Sequence, residues 1–228
     1  VAGSRIMAQQ HLKLGVDCVK VKVGLDPETD IARVSAVREV CGPNIPVTID
    51  ANCGWTIQQA RYCLRELADV KLLLAEQPIP AGDHVALAEL RRDTIAPIMA
   101  DESVFTLQDA WHLSYHRAAD IFSVYPGKHG GIAATAEIVA IAKAAGIRCT
   151  IGSNLELGVG TAAVLHVAAA FPEIDCDTFP ADTIGPFYHE GEIITQPLDL
   201  GPPHAIVPNG PGLGVELDEK AVARFRIS

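Results

Sequence analysis

The sequence of 228 residues lacks several kinds of segment, and each absence excludes a class of protein. No apolar run approaches the roughly 20 residues that a membrane-spanning helix needs. The first residues, VAGSRIM, show neither the basic start nor the apolar block of a signal peptide, so no export signal is expected there. Acidic residues outnumber basic ones by 28 to 18, which gives a formal net charge of −10 without a basic stripe. The composition therefore argues against nucleic acid and against an anionic membrane surface as partners.

Cysteine is present, but in no pattern that would bind zinc or build a disulfide framework. The six cysteines include no C-x-x-C pair, and several lie in apolar runs such as IRCTI at 147–151. Free cysteine is among the most often buried residue types, so we expect reduced, buried thiols and a cytoplasmic setting. The residues concerned are Cys18, Cys41, Cys53, Cys63, Cys149 and Cys176.

The sequence does contain a repeating unit, made of a short apolar run, a polar end, a loop and a stretch with helical periodicity. Hydrophobic residues make up 49 % of the chain, which is enough for a substantial core. Apolar strands that alternate with helices indicate a parallel sheet covered on both faces, in either a doubly wound fold or a β/α barrel. The polar ends of the predicted strands lie 24 to 29 residues apart, at Lys22, Asp50, Glu76, Asp101, Tyr125, Ser153 and Asp182.

This near-equal spacing favours the barrel, whose functional site lies at the carboxyl ends of the strands. No G-x-G-x-x-G motif follows the first predicted strand, which counts against a dinucleotide-binding fold. We predict an α/β fold of the TIM-barrel type over residues 1–186, and a small extension over 187–228 that packs on the barrel or on another domain. Because the chain opens on a helix and about seven strands are counted, we expect the first barrel strand to be missing.

Three carboxylates follow three successive predicted strands and form the candidate metal site. Asp50, Glu76 and Asp101 would lie side by side around the mouth of a barrel, where they would repel one another unless a cation sat between them. A small set of hard oxygen ligands suits Mg²⁺. Asn52 and Glu102 lie just beyond the ligands and are expected to support them.

Two lysines on the first predicted strand are the candidate catalytic cations. Lys20 and Lys22 flank Val21, so strand alternation puts both ammonium groups on one side, toward the barrel interior. A neighbouring cation lowers the pKa of a lysine, which allows one of the pair to act as a neutral base. The alternative is a solvated pair of lysines at a strand edge.

Taken together, these segments resemble the enolase superfamily. The resemblance rests on four motifs in the expected order: VKVKVG at 19–24, DAN at 50–52, EQP at 76–78 and ADES at 100–103. Three further segments are similar to the muconate lactonizing enzyme subgroup: GGI at 130–132, GSNLE at 152–156 and PGLG at 211–214. The mandelate racemase subgroup is disfavoured, because the segment TIGSN at 150–154, which corresponds to the seventh strand of the family's barrel, contains no histidine.

The resemblance implies a (β/α)7β barrel, one Mg²⁺ ion and an enolate intermediate. The metal and Lys20 would stabilise the enolate oxygens, and Lys22 would be the base on one face of the substrate carbon. In this family an N-terminal α+β domain caps the substrate with its loops. The sequence shows no counterpart to that domain, so we expect the capping domain to be missing along with the first strand.

The sequence departs from the subgroup at the end of the sixth strand, where a second catalytic lysine is expected shortly before the Gly-Gly pair. Counting back from Gly130 puts Tyr125 at that position, and Lys128 at one that is often basic but not catalytic. Tyrosine, with a reference pKa of about 10, is a poor base. Tyr125 can donate a proton or a hydrogen bond, or it can simply shape the pocket.

One-base chemistry therefore fits better than two-base racemisation. We predict a muconate-cycloisomerase-like cycloisomerase or a dehydratase that acts on a small carboxylate, in a homo-oligomer. A racemase or epimerase of an amino-acid derivative, and a non-catalytic barrel relative, are the alternatives. Contacts to the substrate are expected from Lys128, Ser153, Asn154 and Asp182.

Overall fold

Six short strands run through the structure, a computed structural model that describes residues 1–226. The first five strands pair in parallel and in chain order, so that each strand from β1 to β4 lies beside the next one along the chain. The sixth begins at Arg148, whose N–H donates to the carbonyl of Asp120, and beyond its end the N–H of Gly152 donates to the carbonyl of Val124. The strands are β1 (Val19–Lys22), β2 (Val47–Asp50), β3 (Ala75–Glu76), β4 (Ile98–Ala100), β5 (Ile121–Val124) and β6 (Arg148–Ile151).

The register of the first strands places three charged side chains in one row. Lys22 lies opposite Asp50 on β2, and Asp50 lies opposite Glu76 on β3. Glu76 lies opposite Met99 on β4, so Asp101 follows two residues later, just past the end of that strand. Because parallel strands present their carboxyl ends at the same edge, lysine and carboxylate side chains collect at one edge of the sheet.

Helices connect the strands, as the alternating pattern predicts. Within residues 1–226 no helix is long and apolar enough to cross a membrane. The helices are α1 (Ala2–Lys13), α2 (Pro27–Cys41), α3 (Ile57–Glu66), α4 (His84–Asp93), α5 (Leu107–His116), α6 (Pro126–His129), α7 (Ile132–Ala145), α8 (Gly158–Ala170) and α9 (Glu219–Phe225), with short 3-10 turns at Ala68–Val70 and Gly185–Tyr188.

Side-chain caps determine where several of these helices begin. Thr56 precedes α3, as its sequence position predicts, and its Oγ1 accepts a hydrogen bond from the N–H of Gln59 at 3.3 Å. The side chain of Gln59 accepts in return from the N–H of Thr56 at 2.9 Å. Thr106 and Asp109 form the same reciprocal cap on α5, and Asp26 caps α2. These caps satisfy N–H groups that have no partner within the helix.

The chain divides into two compact units. The first holds residues 1–123 and 141–148, and in it α1 to α5 each pack on the next helix. Apolar residues at helical spacing form its contacts, as on α3, which buries Ala60, Cys63 and Leu64. Trp55 and Phe122 are the largest fully buried side chains of this unit.

The second unit holds residues 124–140 and the described chain from 149 onward. It contains α6, most of β6, α8 and a tail with little regular structure. In the tail, Ile194 and Leu217 form an isolated antiparallel bridge, and Asp218 caps α9. The predicted domain boundary between residues 186 and 187 falls inside a 3-10 turn of this unit and stays a prediction.

The structure differs from the sequence-based elements in three places. The apolar run at 72–76 predicts the third strand, but only Ala75–Glu76 is regular in the structure. The apolar pattern over 155–170 predicts a helix, but α8 begins at Gly158, and Leu155 before it has a positive φ of 60°. Near Asp182 no seventh strand forms in the described chain, where pairing is limited to one bridge between Cys149 and Ile174 and a few backbone hydrogen bonds.

The reciprocal cap on α3 allows a direct test of how this helix is held. We expect Thr56→Ala to lower the free energy of unfolding by roughly 1 kcal/mol, because one N–H of the first turn loses its acceptor. Thr56→Ser keeps the hydroxyl and is the matched control. Urea denaturation followed by circular dichroism measures both variants, and equal losses for alanine and serine would contradict the role given to the hydroxyl.

Candidate active site

Both lysines of β1 pair with carboxylates, one at the end of β2 and the other at the end of β3. The ammonium of Lys22 forms a close ion pair with Asp50 and donates to the side-chain oxygen of Asn52 at 3.1 Å. The ammonium of Lys20 lies 3.2 Å from a carboxylate oxygen of Glu76. Lys22 remains 60 % exposed, whereas Lys20 is 28 % exposed. The outer lysine is therefore accessible to solvent, whereas most of the inner one is enclosed by the protein.

Glu76 is a buried carboxylate whose environment favours the neutral form. Its pKa is raised to about 7, chiefly by burial, and the carboxylates of Asp50 and Asp101 contribute to this increase. The ammonium groups of Lys20 and Lys22 act in the opposite direction. Three acids and two lysines therefore influence one another at the ends of β1 to β4, as their positions in the sequence predict.

Asn52 and Glu102 link the loops that follow β2 and β4. The amide of Asn52 donates to one oxygen of Glu102 at 3.0 Å, and its backbone N–H donates to Asp50 at 2.9 Å. Burial raises the pKa of Glu102, and the nearby Asp101 adds to the effect. The second oxygen of Glu102 is buried and accepts no hydrogen bond from residues 1–226. A buried carboxylate oxygen without a donor suggests a position for a cation.

Gln77, the middle residue of the EQP motif to which the sequence assigns no role, connects the ends of β3 and β4. Its side chain is fully buried, and its oxygen accepts from the N–H groups of Asp101 at 3.1 Å and Ser103 at 3.0 Å. Its amide donates to the hydroxyl of Ser103 and to the carbonyl of Ile79, both at 2.8 Å. Gln77 thus fixes the backbone that carries Asp101. A lone glutamine gives no sequence signal of this role.

The backbone is unusual beside the same carboxylates. Asn52 and Cys53 have positive φ angles of 41° and 66°, and Gln77 has a φ of 34°. Residues other than glycine seldom adopt such conformations, which cost about 1–3 kcal/mol each and cluster at functional sites. These angles therefore support a functional role for the loops after β2 and β3.

The donor chemistry of this edge fits a hard divalent cation. Asp50, Glu76 and Asp101 offer carboxylate oxygens, and Glu102 adds the oxygen that lacks a donor. As the side chains stand, no three histidine, cysteine, aspartate or glutamate groups within residues 1–226 converge as a complete ligand set. In this arrangement Lys20 and Lys22 supply the positive charge next to the acids.

The second unit contains the remaining candidate residues. Tyr125, directly after β5, is buried, and its hydroxyl donates to the side-chain oxygen of Asn154 at 3.2 Å. The ammonium of Lys128, also buried, lies 4.6 Å from the centre of the Tyr125 ring. A cation over an aromatic face is a favourable contact. The structure therefore brings Tyr125, Lys128 and Asn154 together, although Tyr125 follows β5 and Asn154 follows β6.

Ser153 and Asp182 occupy other positions in this unit. The hydroxyl of Ser153 accepts from the N–H of Leu155 at 2.7 Å, which shapes the loop after β6. The N–H of Asp182 donates to the carbonyl of Ile151 at 3.0 Å. The carboxylate of Glu156 accepts from the N–H of Asn154 at 3.0 Å and holds the loop that carries this residue.

The fold and the site define an α/β protein with a lysine–carboxylate centre at the carboxyl ends of its parallel strands. The chain belongs to the enolase C-terminal domain-like family, whose profile matches residues 5–221. Over 204 residues it is 40 % identical to muconate cycloisomerase 1 of Rhodococcus opacus, an alignment that covers 89 % of this chain and 54 % of the relative. The chain thus spans about half the length of that relative.

Solved structures show the same relationship. The crystal structure of muconate cycloisomerase from Pseudomonas fluorescens aligns with a TM-score of 0.93 at 33 % identity, covering 100 % of this chain and 63 % of that one. A dipeptide epimerase from Cytophaga hutchinsonii, complexed with Mg and the dipeptide D-Ala-L-Val, aligns with a TM-score of 0.90 at 30 % identity, covering 96 % and 59 %. The chain is therefore similar both to a cycloisomerase and to an epimerase.

Close backbone contact between the loops after β1 and β2 generates a stability prediction. A Cβ on Gly24 would lie 2.3 Å from the carbonyl oxygen of Ala51, whereas a Cβ on Gly82 would meet nothing within 4 Å. Both glycines have a φ near +100°, so both alanine variants carry similar backbone strain, about 1–3 kcal/mol. We expect Gly24→Ala to lose a further 1–3 kcal/mol or so, because the clash involves backbone atoms.

Chemical denaturation of the two variants measures the difference in free energy of unfolding. Gly82→Ala is the control for strain alone. Equal losses would show that the close approach of these loops contributes nothing beyond the positive φ.

Proposed function

We propose that the chain catalyses removal of the proton next to a substrate carboxylate, and that Lys22 is the base. The observation that carries this proposal is the pair of lysines on β1, each bonded to a carboxylate at the edge of the sheet. Two lysines held beside buried acids are expensive to maintain for structure alone, because ion pairs at such sites contribute little net stability. The relatives' activities support the same class of reaction.

In the proposed reaction, the bond between the substrate α-carbon and its hydrogen breaks, and the proton goes to Nζ of Lys22. The electron pair moves into the carboxylate, which gives an enolate. Lys22 must first release a proton, and its 60 % exposed side chain gives its ammonium access to solvent. Lys20 stays charged beside Glu76 and stabilises negative charge on the substrate oxygens.

We propose Mg²⁺ as the cofactor, held by Asp50, Glu76 and Asp101, with Asn52 and Glu102 supporting the site. When bound, the ion supplies positive charge that offsets the charge developing on the carboxylate oxygens. The relative complexed with Mg supports this choice of metal. We also propose that the strands belong to a closed (β/α)7β barrel, since the chain aligns along its whole length with a muconate cycloisomerase structure.

Within this class of reaction, we favour cycloisomerisation or dehydration over epimerisation. The hydroxyl of Tyr125 donates its hydrogen bond to Asn154, so it is arranged as a donor and not as a base. A donor can protonate a leaving group or hold a substrate oxygen. Epimerisation is the second candidate, because the chain is also similar to a dipeptide epimerase. In that case Lys128, which lies against the Tyr125 ring, is the second base to consider.

Binding of Mg²⁺ tests the proposed metal site directly. We expect isothermal titration calorimetry to detect one Mg²⁺ site in the 228-residue chain, and Asp50→Asn to weaken binding at least about 10-fold by removing one ligand charge. Asp69→Asn is the control, because it removes an exposed acid that is far in sequence from Lys20 and Lys22. If Asp50→Asn and Asp69→Asn bind Mg²⁺ equally well, the metal site lies elsewhere.

Deuterium exchange at the α-carbon tests the role of Lys22. With Mg²⁺ present, we expect NMR in D₂O to show exchange for at least one of muconolactone, N-acyl amino acids, dipeptides and β-hydroxy acids. Lys22→Ala should reduce the exchange rate about 10²–10⁴-fold, the contribution typical of a general base. Lys13→Ala, an exposed lysine at the end of α1, is the control and should leave the rate unchanged.

Tyr125→Phe distinguishes the two reaction types. One-base chemistry predicts that exchange continues in this variant while product formation slows, because only proton donation is lost. Loss of exchange from one substrate enantiomer in Lys22→Ala, and from the other in Tyr125→Phe or Lys128→Ala, would instead establish two-base epimerisation. Absence of both Mg²⁺ binding and exchange would favour the non-catalytic alternative.

A further inference from the structure

Asp30 is a buried carboxylate on the first turn of α2 that the proposed reaction does not use. Its side chain is fully buried in the first unit, although a carboxylate is costly to remove from water. Burial of such a group requires donors on most of its oxygen positions. The donors around Asp30 show what the carboxylate does.

Asp30 binds the loops that follow two neighbouring strands. One of its oxygens accepts from the N–H of Gly24 at 2.8 Å and from the N–H of Leu25 at 3.0 Å, directly after β1. The same oxygen accepts from the indole N–H of Trp55 at 3.2 Å, in the loop after β2. A single carboxylate therefore joins the segment after Lys22 to the segment after Asn52.

Arg33 extends this connection to Lys22 itself. Its guanidinium lies 3.4 Å from the other oxygen of Asp30, and it donates to the backbone carbonyl of Lys22. The N–H of Val23 donates to the carbonyl of Asp50 at 2.8 Å, which fixes the two strand ends to each other. The backbone that carries Lys22 is thus held on both sides.

The loops joined by Asp30 have no room to shift past each other. A Cβ on Gly54 would lie 2.3 Å from the carbonyl oxygen of Gly24, and Gly24 approaches Ala51 equally closely. A change in the hydrogen bonds of Asp30 must therefore move the backbone next to Lys22 or next to Asp50. The ion pair between these two residues is the contact that such a movement would alter.

We propose that Asp30 is a positioning residue, which sets the place of the Lys22 ammonium relative to Asp50 by holding the loops after β1 and β2. This inference rests on the proposed role of Lys22 as the base. Reacting groups tolerate little displacement, and a shift of about 1 Å can cost 10²-fold in rate. Asp30 acts through Lys22 and does not itself contact the substrate.

The variant Asp30→Asn tests this inference, because it keeps the size of the side chain and removes its charge. We expect kcat for α-carbon exchange to fall about 10- to 100-fold with KM nearly unchanged, since the base is displaced while substrate contacts remain. We also expect the ¹⁵N signal of the Lys22 ammonium to shift, and the Leu25 amide and Trp55 indole hydrogens to exchange with solvent at least about 10-fold faster.

Asp26→Ala is the matched control. Asp26 caps the same helix, and within residues 1–226 its carboxylate accepts from Thr29 alone, so its loss weakens the cap and removes no hydrogen bond of Asp30. This variant should lower stability and leave kcat, the Lys22 signal and the exchange of Leu25 unchanged. If Asp30→Asn behaves like Asp26→Ala in all three measurements, Asp30 serves stability alone and the inference is wrong.

One further variant and one comparison with the unmodified chain test the role of Asp30 if the first experiment fails. If Asp30→Asn does not fold, Trp55→Phe removes one donor to Asp30 and keeps an aromatic ring, and it should give the same changes at roughly 2- to 5-fold in kcat. If the unmodified chain neither binds Mg²⁺ nor exchanges any substrate, the proposed function fails. The Lys22 signal and the exchange of Leu25 then still decide whether Asp30 positions this lysine.

Discussion

The burial of negatively charged side chains is the main constraint at the edge of the sheet where β1 to β4 end. Asp50 and Glu76 are both buried, and the pKa of Glu76 is raised to about 7 by burial, with Asp50 and Asp101 adding to the effect. Carboxylates in such surroundings need positive charge beside them. Lys20 and Lys22 provide it: Lys22 lies opposite Asp50 on the neighbouring strand, and Lys20 contacts Glu76 across β2.

The surrounding polar groups serve to hold this arrangement in place. Gln77 fixes the backbone of Asp101, and Asn52 joins the loops after β2 and β4. Asp30 does the same for the loops after β1 and β2. Each connection joins residues that are 24 or more positions apart in sequence. Gln77 and Asp30 also accept from backbone N–H groups that would otherwise be buried without acceptors. Strained backbone at Asn52 and Gln77 is tolerated because these bonds define it.

The sequence was sufficient to predict features that depend on local spacing. Apolar periodicity and the glycine at 146 predict a helix over 132–145 and a strand over 148–151, and the structure has both with these bounds. A threonine directly before the helical pattern that starts at 57 predicts an N-cap, and the structure confirms Thr56 in that role. Asp30 and Gln77 could not be recognised, since their roles depend on partners brought close only by the fold. The strand predicted to end at Asp182 does not form within residues 1–226, where pairing is limited to a single bridge and a few hydrogen bonds.

The central claim is that the buried acids and their two lysines form a centre that accepts a divalent cation. A crystal structure of the chain grown with Mn²⁺, which favours the same oxygen ligands as Mg²⁺, tests this most directly. We predict one anomalous difference peak between the carboxylates of Asp50, Glu76 and Asp101, with the Lys22 ammonium displaced from Asp50. A fully bound Mn²⁺ ion elsewhere, with both lysine–carboxylate pairs unchanged, would contradict it.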